Sequence, residues 1–165
     1  MAPRLVAVTV QTTASPHPTT VFPLVMDVAL PLIFTDFGPL PGVTEVREQS
    51  GPWDHVGASR KPVLTDGTTA FERITACSPP DSFAYEISGF TNILGRFVHG
   101  AVGSWDLTRE DDAGTHIEWT YALRPKRLRT LPVRLLIAPF WRLYMRRALA
   151  ATIREVHRRT GATTA

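Results

Sequence analysis

Two acidic residues, Glu72 and Glu118, sit in segments of β-branched and aromatic character: Phe71-Glu72-Arg73-Ile74 and His116-Ile117-Glu118-Trp119. If both faced one apolar chamber, burial would favour the neutral form of at least one of them. A neutral acid beside an ionised one is an arrangement for general acid–base work. One group would remove a proton next to a carbonyl, and the other would help hydroxide leave. That is the chemistry of aldol cyclisation or dehydration, with Arg60 or Tyr85 polarising the carbonyl. If Arg60 instead pairs with a carboxylate, the same groups orient a ligand without reacting. Both readings stand at this point. Other chemistries lack their residues. The five histidines, His17, His55, His99, His116 and His157, show no metal-site spacing, and Cys77 is the single cysteine. There is no G-x-S-x-G elbow, P-loop or G-x-G-x-x-G fingerprint. Neither a metal nor a cofactor is expected.

Residues of this kind need strands to aim them, and the chain supplies strands in sequence. Leu5 to Thr13 carries Val6, Val8 and Val10 at period two and reads as a strand. Ser15 is placed to cap a helix with Pro16 in its first turn. A short helix is predicted over about Pro18 to Asp27, and a second over about Ala29 to Asp36. Gly38-Pro39-Leu40-Pro41-Gly42 ends it. Strands follow at Val43–Gln49, Val56–Thr65, Thr68–Cys77, Phe83–Phe90, Phe97–Thr108 and Thr115–Leu123. Turn signals separate them, including Asp66-Gly67 and Asp111-Asp112-Ala113-Gly114. The remainder is one long helix with Thr130 as its cap and a bend or break at Pro139. Its inward face is predicted to hold Ile137, Trp141, Tyr144, Ala148, Ala151, Thr152 and Val156. Leu131 to Met145 is apolar nearly all round, which predicts burial on several sides. Consecutive short-turn strands make an antiparallel sheet, and only the last helix is long enough to cover it. Ala148 and Ala151 would widen the gap between helix and sheet.

Bulk properties set the class. The chain has 165 residues, 44% hydrophobic and 20% charged, the make-up of one ordinary globular domain. One cysteine gives no internal disulfide, and the apolar run Leu5–Val10 is too short for a secretion signal. A soluble, cytoplasmic protein is expected. Charge is divided unevenly. From Arg124 onward there are 11 Lys/Arg and one acid, Glu155, a net +10. The first 123 residues hold 7 basic and 14 acidic residues, a net −7. A solvated helix face accounts for such a run. The loop Arg124, Lys126, Arg127 and Arg129 also adjoins an apolar half-helix, a pairing suited to transient contact with an anionic membrane. The charged face has no interleaved aromatics, so nucleic acid is not an expected partner.

Several segments together resemble a known family. They are Thr13-Ala14-Ser15-Pro16 with Val21-Phe22 and Asp27, then Val56-Gly57-Ala58-Ser59-Arg60, Asp66-Gly67 and Phe71-Glu72-Arg73-Ile74. Phe83-Ala84-Tyr85-Glu86-Ile87 and Gly114-Thr115-His116-Ile117-Glu118-Trp119 complete the set. In this order, with a terminal helix, they resemble the SRPBCC or START-like superfamily, and more narrowly its bacterial polyketide cyclase/dehydrase and lipid-transport group. The resemblance implies an α+β helix-grip fold: a curved antiparallel sheet wrapped around a long C-terminal helix, with two short helices after the first strand. It implies an internal cavity for a small hydrophobic molecule, a lipid or a polyketide-like compound. It also leaves open a cofactor-free cyclase, aromatase or dehydratase. Carried over strand by strand, it turns Arg60 and Leu64, Glu72 and Ile74, Tyr85 and Ile87, and Glu118 and Thr120 toward the cavity. In the last strand, period two alone puts Ile117, Trp119 and Tyr121 inward instead, and both phases remain open. His99 is expected near the rim, Tyr144 and Ala148 on the helix wall, Trp141 in the core, and Thr65–Thr68 as a gate loop.

Overall fold

The computed structural model describes residues 5–110 and 114–161. Strand β1 (Val6–Ala14) is followed by α1 (Pro18–Met26) and α2 (Leu30–Ile33). Strands β2 (Val43–Arg47), β3 (Ser59–Leu64), β4 (Phe71–Ser78), β5 (Ser82–Ser88), β6 (Val98–Arg109) and β7 (Thr115–Pro125) come next. A 3-10 turn, Ile93–Arg96, precedes β6. The chain then forms α3 (Thr130–Pro132), a π-helical turn (Val133–Ile137) and α4 (Ala138–Thr160). The predicted turn at Asp111–Ala113 lies outside the described residues.

All seven strands join one antiparallel sheet in the order β1-β7-β6-β5-β4-β3-β2. The first strand pairs with the last, which leaves β1 and β2 as the two edges of the sheet. Alternation decides the inner face. Val6, Val8 and Val10 are buried on β1, Phe83, Tyr85 and Ile87 on β5, and Ile117, Trp119, Tyr121 and Leu123 on β7. Against that face lies α4, burying Trp141, Tyr144, Met145, Ala148, Leu149, Thr152, Ile153 and Val156. Gly161, left-handed at φ 69°, ends the helix.

Four local expectations are corrected. Ser15 does not cap α1; the helix begins at Pro18 after an extended His17, and the Ser15 amide donates to His157 Nε2 at 3.4 Å. Thr130 does not cap the last helix either, because Arg129 occupies the cap position without a side-chain bond. Pro139 falls in the first turn of α4, where its missing N–H is harmless, and the π turn before it absorbs the irregularity. The half-helix expected to be buried is not. Leu131, Leu135, Leu136, Phe140 and Leu143 are exposed, while Val133 is fully buried.

Candidate ligand cavity

The cavity is built by cross-strand register. Arg60 on β3 lies directly opposite Glu72 on β4, and Glu72 opposite Ile87 on β5. Directly opposed side chains on one face meet. Arg60 Nε donates to Glu72 Oε2 at 2.7 Å, with both side chains nearly buried at 10% and 13% exposure. The guanidinium also stacks on Trp53, 3.8 Å from the ring centroid. Tyr85 lies opposite Gly103, and Gly103 opposite Tyr121. A Cβ at Gly103 would stand 2.3 Å from Tyr85 Cζ, so this glycine makes the room in which the phenol lies. Tyr85 Oη accepts a bond from Trp119 Nε1 at 3.2 Å.

On one side of the ion pair, between sheet and helix, is a cavity of about 110 Å³. Its walls include Leu64, Glu72, Tyr85 and Ile87 from the sheet, Trp119 and Tyr121 from β7, and Trp141, Tyr144 and Met145 from α4. On the other side is an open groove of about 860 Å³, bordered by Phe22, Met26, Leu30, Trp53 and Arg60. A void of about 30 Å³ lies between them, lined by Arg60 and Glu72 together with Leu30, Trp53, Tyr85 and Trp119. The ion pair therefore stands between the smaller space and the groove. The larger space is the more open. The smaller one carries the stronger ligand signature, being mostly apolar with a few polar atoms.

The roof is tied down by polar contacts. Tyr144 Oη donates to the Pro41 carbonyl at 2.7 Å, fixing the Pro39–Pro41 loop to α4. Asp36 Oδ1 accepts from the Gly42 amide at 2.7 Å and from the Thr65 hydroxyl, joining that loop to the β3–β4 turn. These two donors, Thr65 first, hold the Asp36 carboxyl below its ordinary range. Burial pushes the Tyr85 phenol well up, with the Glu72 charge adding to it. Burial likewise raises Tyr121, and raises Tyr144 with a contribution from Asp36. All three phenols therefore keep their protons, and Tyr144 donates its own to Pro41. Tyr121 makes no side-chain hydrogen bond among the described residues, and the buried Trp141 Nε1 has no partner among them. The Tyr85 and Tyr121 hydroxyls and Trp141 Nε1 thus have no acceptor among the described residues.

Of the residues singled out in the sequence, Arg60, Leu64, Glu72, Tyr85, Ile87 and Tyr144 come together around these spaces. Others do not. Glu118 is on the outer face of β7 and accepts from Gln11 Nε2 at 2.7 Å. Thr120 is also outward, bonded to Thr9 across the strand pair at 2.8 Å. Local alternation, not the carried-over phase, is correct for β7. His99 is exposed on β6, because its neighbours Val98 and Gly100 take the inner positions. Ile74 faces inward but packs in the core without reaching the cavity wall. Ala148 is fully buried, where α4 lies close to the sheet, and closes the gap it was expected to widen. Trp141, expected as core only, lines the cavity. The sequence reading missed the wall residues Phe34 and Met145 and the whole groove at the α1–α2 junction. The period-two pattern at Ile117, Trp119 and Tyr121 was the available signal for β7.

A curved sheet gripping a helix around an apolar space defines a helix-grip protein. The chain belongs to the polyketide cyclase/dehydrase and lipid transport family, which it matches over residues 6–159. Solved structures share the fold at low identity. The aromatase/cyclase ZhuI from Streptomyces sp. R1128 matches with a TM-score of 0.70 at 17% identity, covering 95% of this chain and 96% of that one. Ara h 8.0201 matches with a TM-score of 0.70 at 16% identity, covering 93% and 98%. A norcoclaurine synthase mutant from Thalictrum flavum, in complex with a transition-state analogue, matches with a TM-score of 0.68 at 10% identity, covering 97% and 99%. No curated protein matches the chain.

Proposed function

We propose that the protein binds a small hydrophobic molecule, a lipid or polyketide-like compound, between sheet and helix. The observation that carries this is the mostly apolar, aromatic wall of Trp119, Tyr121, Trp141 and Tyr144, in which the Tyr121 hydroxyl makes no hydrogen bond among the described residues. A ligand with a carbonyl or ether oxygen gives that hydroxyl an acceptor. A space of about 110 Å³ is smaller than an engineered cavity of about 150 Å³ that binds benzene, so it takes one ring at most, and a fused-ring ligand such as an anthraquinone must extend beyond it. A longer ligand reaches the groove past Arg60 and Glu72, whose charges then meet its polar end.

A cofactor-free cyclase or dehydratase is the second reading, favoured by Glu72 in the cavity wall beside the protonated Tyr85. With Glu118 outside, a two-carboxylate mechanism would draw on Glu72 and Asp66, both of which border the cavity. Binding and catalysis separate in one variant. Glu72→Gln keeps most ligand affinity in either case, but abolishes turnover if Glu72 is the acid or base.

Trp119 and Trp141 in the wall make binding visible. Titration with an anthraquinone should quench tryptophan fluorescence saturably at one ligand per chain. Ala70→Leu, which adds bulk to the wall, should weaken binding at least tenfold. Non-saturable quenching, or an affinity that Ala70→Leu leaves intact, would overturn the proposal.

A further inference from the structure

We propose that the basic loop after β7 and the first half of the terminal helix form a docking surface for an anionic lipid bilayer. Eleven large apolar side chains are exposed in the described chain, and six of them fall between Leu128 and Leu143. Such clustering marks an interaction site, whereas single exposed leucines do not. Leu136, Phe140 and Leu143 follow one another at spacings of four and three, the spacing of one helical face. Leu128 is 90% exposed, at the tip of the loop between Arg127 and Arg129. Its backbone is left-handed, with φ 63°. A non-glycine residue there is strained, and here the strained position presents a leucine to solvent.

Charge identifies the occupant. From Arg124 to Arg154 there are nine Lys/Arg and no acid. Arg124 is held by Glu86 at 2.7 Å, and Lys126 Nζ donates to the Gly95 carbonyl, so these two are engaged. Arg127, Arg134, Arg142 and Arg146 are exposed and make no ion pair among the described residues. Leucines interleaved with unpaired arginines are the composition of a helix lying in a bilayer interface. The leucines enter the acyl boundary and the guanidinium groups reach the headgroups. A second copy of the chain is the poorer occupant, because it would set the same cations against each other. Nucleic acid would leave the leucines uncovered.

The surface adjoins the cavity. Ile93 is both exposed and part of the cavity wall, and its 3-10 turn is joined to the basic loop by Lys126 N–H donating to Phe97 O at 2.8 Å. The opposite side of the same helix supplies Trp141 and Tyr144 to the wall. Docking would bring the cavity to the bilayer; passage of a ligand between them rests on the function proposed above, but docking does not.

The test is flotation of the full chain with vesicles of equimolar phosphatidylglycerol and phosphatidylcholine, beside vesicles of phosphatidylcholine alone. Binding is expected to the anionic vesicles, with loss at high salt. Each neutralised arginine should lower partitioning about fivefold. Arg127→Gln, Arg134→Gln and Arg142→Gln together should therefore cost about a hundredfold. Leu128→Ser with Leu136→Ser should weaken binding while leaving thermal unfolding unchanged, since both residues are exposed. Failure of the wild-type chain to float overturns the proposal. So does equal binding to neutral vesicles, or binding that either set of substitutions leaves intact. Failure to float combined with a concentration-dependent dimer that Leu128→Ser and Leu136→Ser abolish would assign the face to self-association. A chain that passes the vesicle test but binds no anthraquinone keeps the docking surface and loses the ligand reading.

Discussion

Removing Arg60 should damage the protein more than removing both Arg60 and Glu72. The two side chains are bonded at 2.7 Å with 10% and 13% exposure. Breaking a buried pair from one side costs about 3–5 kcal/mol, because the other charge is left unpaired. Arg60→Met keeps part of the stem that covers Trp53 and leaves Glu72 facing an apolar wall, for a cost of about 3 kcal/mol. Glu72→Leu should cost less, about 2 kcal/mol, because Arg60 keeps the Trp53 ring and borders the open groove. The double variant Arg60→Met/Glu72→Leu should lie within about 1 kcal/mol of wild type, since matched apolar replacements of a buried pair are often neutral. Urea unfolding measures this. With a slope of about 2 kcal/mol/M, Arg60→Met moves the midpoint down by about 1.5 M, and the double variant restores most of it. Additive losses would refute the reasoning, as would a cost below about 1 kcal/mol for Arg60→Met. Independent sites add to within about 0.5 kcal/mol, so the expected coupling is well outside that range.

Three further outcomes follow from the same geometry. Gly103→Ala places a methyl group in the Tyr85 ring and should destabilise by about 1–3 kcal/mol in urea, with a change in Trp119 fluorescence as the Tyr85 bond is lost. Glu118→Gln, on the outer face, should leave stability within about 0.5 kcal/mol and ligand affinity unchanged; a loss of affinity would return Glu118 to the cavity. Bonds from Arg158 and Arg159 hold the Glu155 carboxyl at about 2, below its ordinary 4.5. A carboxylate depressed in the folded state stabilises above its unfolded value. Acid titration should therefore loosen the end of α4 progressively from about pH 4.5 down to about 2, and Glu155→Gln should remove that component from the helix circular-dichroism profile.

The architecture was legible because its signals are local. Turn dipeptides such as Asp66-Gly67 and period-two runs such as Val6, Val8, Val10 locate strands without knowledge of their partners. Half of the site was legible for the same reason: Arg60, Glu72, Tyr85 and Ile87 lie on strands whose facing the resemblance gave correctly. On β7 the resemblance was shifted by one residue, and a slip of one exchanges the two faces completely. That is why Glu118 and Thr120 moved out, and Trp119 and Tyr121 moved in. What depends on distant packing was not legible. Whether Ala148 opens a gap or allows close approach depends on how near α4 lies to the sheet. Leu131 to Leu143 read as buried because nothing local says that no strand or loop will cover them. The caps failed similarly: α1 starts at Pro18 after an extended His17, two residues beyond the reach of a Ser15 cap.

The central claim is that the aromatic-walled space between sheet and helix receives one apolar molecule. Native mass spectrometry of the freshly purified chain, followed by addition of excess anthraquinone, tests it most directly. The account predicts a single adduct per chain, either carried through purification and released by organic extraction or taken up on addition. The bare chain mass under both conditions would contradict it.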